Sequence, residues 1–193
     1  MATTKPSGLR FSESLSGYLS RGDGHWAAYE AGRAANLHAR FWITVHIPNL
    51  QAFMADPEHE APLSGRLTVA GMGHSLPVED GRIHLFCSRG EGKRLLYFLP
   101  FKHGDQRFLL QGEKRLSRPK GLEAWRQMTT LFTEVLQQAD GEETLLYRGV
   151  LRISLPQVLL QAVSFRPLGT ANPLRFLADY VRFLRFSSRE MRR

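Results

Sequence analysis

Glu13 is the acidic residue best placed to do chemistry, because it alternates with Phe11 and Leu15 and shares their face if the segment is extended. A carboxylate on an apolar face needs a partner such as an arginine or backbone donors, or its pKa rises. Two roles fit this pattern: one half of a buried ion pair, or a polar anchor inside a ligand cavity. Together with the strand aromatics Trp42 and Tyr97, Glu13 makes up the expected ligand-binding set. Glu13 and Glu30 have the chemistry of an acid–base pair, but their spacing does not bring them together.

The other reactive residue types lack the surroundings that catalysis requires. Gly71-Met72-Gly73-His74 has neither the third glycine of a dinucleotide turn nor the Gly-Lys-Ser/Thr of a phosphate loop, and reads as a hairpin or bulge. His59 stands between Glu58 and Glu60 with no second histidine at helical spacing, which fits an exposed charged loop better than a metal site. Gly-x-Ser-x-Gly does not occur, and Cys87 closes the apolar run from Ile83, as a buried inert thiol would. The expectation is therefore no catalytic residue, no metal and no cofactor.

The elements carrying these residues read mostly as strands. Phe41–Ile47 is β-branched and aromatic up to Pro48, and Asn49 then caps a short helix, Leu50 to Ala55. Further strands are expected at Gly65–Ala70, Arg82–Cys87, Arg94–Phe101, Arg107–Glu113 and Leu145–Leu155, separated by glycine-rich turns. Turns this frequent favour antiparallel hairpins over βαβ units. Leu122–Gln138 has helical apolar spacing, but Thr129–Val135 has strand composition and is assigned to a strand. Pro156 opens a helix to Phe165, and Pro167-Leu168-Gly169 breaks it. The fold class is thus mainly β, an antiparallel barrel or sandwich with a short helix near residue 50 and a helical C-terminus. Its organisation is a flexible segment 1–9, a β-rich domain 10–165 and a basic amphipathic C-terminal helix 166–193.

That terminal segment holds much of the chain's net charge of +8. From Phe165 onward there are seven arginines and two acids, with Arg175, Arg182, Arg185, Arg189, Arg192 and Arg193 marking the membrane or partner surface. Its apolar face is broad, comprising Leu174, Phe176, Leu177, Tyr180, Val181, Phe183 and Leu184. Such a face is buried against the protein's own core, a partner or a lipid surface, and anionic head groups or nucleic acid complement the arginines. Nucleic-acid binding is disfavoured, since no RNA-recognition, zinc-finger or helix-turn-helix pattern accompanies the basic residues. With one cysteine, no apolar leader and no apolar run of about 20 residues, a cytoplasmic protein is expected, peripheral at the inner face of a membrane.

Several of these strings belong together. Phe11-Ser12-Glu13-Ser14-Leu15-Ser16-Gly17-Tyr18, Ala55-Asp56-Pro57-Glu58-His59-Glu60-Ala61 and Leu76-Pro77-Val78-Glu79-Asp80-Gly81 precede Lys93-Arg94-Leu95-Leu96-Tyr97, Leu110-Gln111-Gly112-Glu113-Lys114 and Trp125. Over about residues 10 to 165 the chain resembles the accessory region associated with bacterial cholesterol-oxidase-like enzymes of the glucose-methanol-choline oxidoreductase type. The resemblance implies a lipid or sterol ligand and a partner oxidoreductase or hydrolase. The Gly-x-Gly-x-x-Gly flavin turn of those enzymes is absent, so sterol oxidation is not expected. The expected function is a non-catalytic lipid- or sterol-associated accessory protein. The alternatives are an enzyme of unspecified chemistry on a lipid-like substrate, or an interaction subunit of a separately encoded oxidoreductase or hydrolase.

Overall fold

A computed structural model describes residues 7–88, 92–116, 121–139, 141–169 and 172–192, apart from the side chain of Ala124. The strands are β1 (Gly8–Ser20), β2 (His38–Ile47), β3 (Glu60–Val69), β4 (Gly73–Pro77), β5 (Gly81–Ser88), β6 (Lys93–His103), β7 (Gln106–Leu116), β8 (Thr130–Ala139), β9 (Glu142–Arg152) and β10 (Arg166–Leu168). The helices are α1 (His25–Ala34), α2 (Leu50–Ala55), α3 (Leu122–Thr129), α4 (Leu155–Ser164) and α5 (Pro173–Glu190).

Eight strands close a barrel in the order β1-β2-β3-β5-β6-β7-β8-β9, with β9 returning to β1 and every pairing antiparallel. Closure brings two backbones together at glycines. A Cβ on Gly17 would lie 2.0 Å from the Val150 carbonyl oxygen, and one on Gly149 would lie 2.2 Å from that of Tyr18. Side chains at these positions would force the closing strands apart.

Strand alternation decides which side chains enter the lumen. Leu9, Phe11, Glu13 and Leu15 of β1, the odd positions of β2 from Ala39 to Ile47, and Leu95, Tyr97, Leu99 and Phe101 of β6 all point inward and are buried. Trp42 falls on the opposite phase and is 64% exposed. Its expected place in the ligand-binding set is therefore corrected, because it lies between buried Phe41 and Ile43 on the outer wall. Leu9, fully buried in β1, likewise corrects the expectation of a flexible segment reaching residue 9.

β1 has a seam along one edge. Gly8–Arg10 pair with β10 and Ser16–Ser20 pair with β9, which leaves the middle of β1 without a strand on that side. α4 covers the interval: Ser12 N–H donates to Ser164 Oγ at 2.9 Å, and Gln157 Nε2 donates to Ser14 Oγ at 3.4 Å. Ser164 Oγ thereby takes the Ser12 N–H that a neighbouring strand's carbonyl would otherwise accept. α4 starts as its sequence indicates, with Pro156 in the first turn and a capping box between Ser154 and Gln157.

Two helices differ from the sequence expectation. α1 packs on the outer wall, where Tyr29 meets Tyr18 and Trp26 meets Phe132 edge-on. Its N-cap is Gly24, which offers no side chain, and its Gly32 lies against the Leu19 backbone, so the usual helix signals are missing. Leu122–Gln138 is both things in turn, since α3 ends at Thr129 and β8 starts at Thr130 with no loop between them. The segment 166–193 is likewise not all helix: β10 occupies Arg166–Leu168 and α5 begins at Pro173, its capping Asn172 accepting from Leu174 N–H and Arg175 N–H.

Candidate ligand cavity

One end of the barrel is filled by side chains such as Leu99, Phe101, Phe108 and Leu110, with Phe101 stacked on Phe108. The other end holds a cavity of about 550 Å³. Its walls come from β1, β5, β6 and β7, and α3, α4 and α5 roof it with Trp125 and Met128, Val158 and Gln161, and Phe183 and Ser187. The volume falls within the range of small-molecule sites, about 300–1,000 Å³.

Three polar side chains meet in this apolar chamber. Lys114 Nζ donates to Glu13 Oε1 at 2.6 Å, and Tyr97 OH donates to Glu13 Oε2 at 2.9 Å. All three are buried and all three line the cavity. β1 and β6 stand four places apart around the eight-strand circuit, so the Glu13–Tyr97 bond crosses the lumen. Burial, followed by the adjacent Glu13 charge and the hydrogen bond to it, pushes the Tyr97 phenol well above its ordinary pKa, so Tyr97 stays a donor. The Lys114 ammonium also lies 5.2 Å from the Tyr97 ring centroid.

The chamber has a bulge beside it. The β5–β6 register shifts between His84 and Cys87, and Phe86 takes φ 58, a conformation unusual for a bulky residue. The bulge turns the consecutive side chains Leu85 and Phe86 both inward, and both line the cavity. Strain of this kind costs about 1–3 kcal/mol and tends to occur at functional sites.

The structure joins Glu13 to Tyr97 and Lys114, where the sequence pointed to an arginine or backbone donors as partners, and leaves Trp42 outside. Lys114 was legible in part, because it lies at an even position on the same strand phase as Phe108 and Leu110. Glu30 is on α1, half-exposed and paired with Arg33 at 2.8 Å, well away from any role with Glu13. His59 is buried rather than exposed: its Nδ1 lies 3.0 Å from the Phe53 carbonyl oxygen and its ring meets Phe186 edge-on. Among the described residues no cluster of His, Cys, Asp or Glu has the make-up of a metal site.

α5 has three faces where the sequence showed two. Asp179, Phe183, Phe186 and Glu190 are buried, and Phe183 and Phe186 pack among Phe11, Phe53 and Phe86. Glu190 fixes the end of the helix to β6 through Lys93 at 3.0 Å. Leu174, Leu177, Val181 and Leu184 face outward, and exposed Arg182, Arg185, Arg189 and Arg192 run beside them. Arg175 is half-buried, and Arg193 lies outside the described residues. No helix of the described residues is long and apolar enough to cross a membrane.

No protein-family model matches the chain, and no curated protein or solved structure does so either.

Proposed function

We propose that this protein is a non-catalytic binder of a lipid-like molecule, held in the barrel with its apolar body under the three helices and one uncharged polar group against the Glu13–Lys114–Tyr97 cluster. The observation that carries this reading is a mostly apolar chamber of about 550 Å³ whose two charged lining residues, Glu13 and Lys114, neutralise each other. A carboxylate ligand would add a negative charge that nothing in the lumen balances, whereas a hydroxyl or carbonyl adds none. Lys114 has donors beyond the one given to Glu13, and the Tyr97 oxygen can accept a hydrogen bond. Sterols, long-chain alcohols and acylglycerols share this chemistry, in keeping with the resemblance of residues 10 to 165 to a sterol-oxidase accessory region.

A non-catalytic role is supported by the state of the single carboxylate in the chamber. Both Glu13 oxygens accept from buried donors, so neither is poised to take a proton from a ligand. Parallel titrations with cholesterol, hexadecanol and palmitate, read by native mass spectrometry and thermal shift, test the reading. The hydroxyl compounds should bind and raise Tm, palmitate should do so less, and Met128→Trp, which fills the chamber from α3, should abolish the effect. Failure of every probe to bind the folded protein would overturn it.

A further inference from the structure

We infer that the outward faces of α4 and α5 form a docking surface for an anionic lipid bilayer. Leu155, Leu159, Leu160 and Val163 of α4 are each about two-thirds exposed, and α4 contains no charged residue. On α5, Leu174, Leu177, Val181 and Leu184 recur at spacings of three and four, which sets them in one outward strip along the helix. Single exposed leucines need no explanation, but two helical strips of them on one molecule do.

The charge beside the strip selects the occupant. Arg182, Arg185, Arg189 and Arg192 are exposed and follow the α5 strip on its flank, and shallow surface depressions there are lined by Leu174, Leu177, Val181 and Leu184 together with Arg182, Arg185, Arg189 and Arg192. A helix lying in the head-group plane has this cross-section, with apolar side chains inserted and arginines beside them on lipid phosphates. Nucleic acid would take the arginines but has no surface for the leucines. A second copy of the chain would set two basic flanks against each other.

The surface is also in the right place. α4 and α5 both roof the cavity, Val158 and Gln161 from one and Phe183 and Ser187 from the other, and α4 closes the β1 seam without a single fully buried residue of its own. A bilayer meeting their outer faces lies one helix away from the chamber. The inference goes beyond the ligand reading and does not depend on it, since the outer residues named do not line the cavity.

Co-sedimentation of the full chain with phosphatidylcholine vesicles and with mixed phosphatidylcholine–phosphatidylglycerol vesicles, in low and high salt, tests it. Binding should require the anionic lipid and fall in high salt. Arg185→Glu with Arg192→Glu should lower partitioning by more than about twentyfold, and Leu177→Ser with Leu184→Ser by about tenfold. Both double variants should keep the wild-type melt, circular dichroism spectrum and hydroxyl-probe binding. Equal binding to neutral vesicles, indifference to both double variants, or no vesicle binding by folded protein would each overturn the inference. A concentration-dependent dimer that the leucine variant abolishes, without vesicle binding, would assign the face to self-association instead.

Discussion

Glu13 and Lys114 show how a buried charge pair is to be judged. Removing one member strands the other, so Glu13→Ala should lower stability by about 3–5 kcal/mol, measured by urea unfolding. Replacing both, as in Glu13→Leu with Lys114→Met, should be neutral or stabilising by about 1–4 kcal/mol. If the double variant is as unstable as Glu13→Ala, the pair is held for stability and its role as a ligand anchor loses its main support. Tyr97 adds a pH signature with a definite sign. Its folded pKa is raised, so its contribution to stability is present below the unfolded value of about 10 and is lost as pH rises through the folded pKa. Above about pH 10 the unfolded chain releases the phenolic proton while the folded protein holds it, and alkali favours unfolding. Tyr97→Phe should flatten that alkaline fall relative to the wild type, and its loss of the hydrogen bond to Glu13 should cost about 1.5–3 kcal/mol at neutral pH. An unchanged alkaline slope in urea melts would mean that the phenol is not buried against the carboxylate.

α5 reconciles readings that its sequence left open, because one helix both completes the core and presents a surface. Phe186 packs against Phe53, His59 and Phe86, so Phe186→Ala should cost about 3–5 kcal/mol, whereas Leu177→Ser on the outer strip should stay within about 0.5 kcal/mol. Deleting residues 172–193 should therefore collapse thermal stability, and a truncated protein that melts like the full chain would refute this packing. The sequence located α2 and α4 to within a residue because Asn49 and Pro156 supply local chemistry that forces a helix start. α1 was hidden because Gly24 caps it without a side chain and its contact with Phe132 comes from the distant strand β8. In the same way, the inward phase of Glu13 was legible from Phe11 and Leu15, but its partners were not. Lys114 lies 101 positions away, and only closure of the barrel brings it across the lumen. Trp42 was misjudged because aromatic type says nothing about strand phase; its buried neighbours Phe41 and Ile43 already fixed it outward.

As a whole, the molecule is a closed barrel packed solid at one end and hollow at the other, with three helices over the hollow end and arginines along one of them. Closure leaves no end strand within the eight-strand circuit, and α4 covers the seam in β1 with Ser164 and Gln157. A barrel of this size accommodates one small apolar ligand, which is why the proposed ligand is placed in the chamber. The internal neutrality of the chamber also predicts a reversal of selectivity. Glu13→Gln leaves Lys114 as an uncompensated cation, so a carboxylate ligand should now supply the missing charge. The deciding measurement is the thermal shift of wild-type and Glu13→Gln protein with hexadecanol and with palmitate. A ligand chamber governed by the Glu13–Lys114 pair predicts that the wild type is stabilised more by hexadecanol and the variant more by palmitate. Identical shifts in the two proteins, or no shift with either ligand while both remain folded, would contradict it.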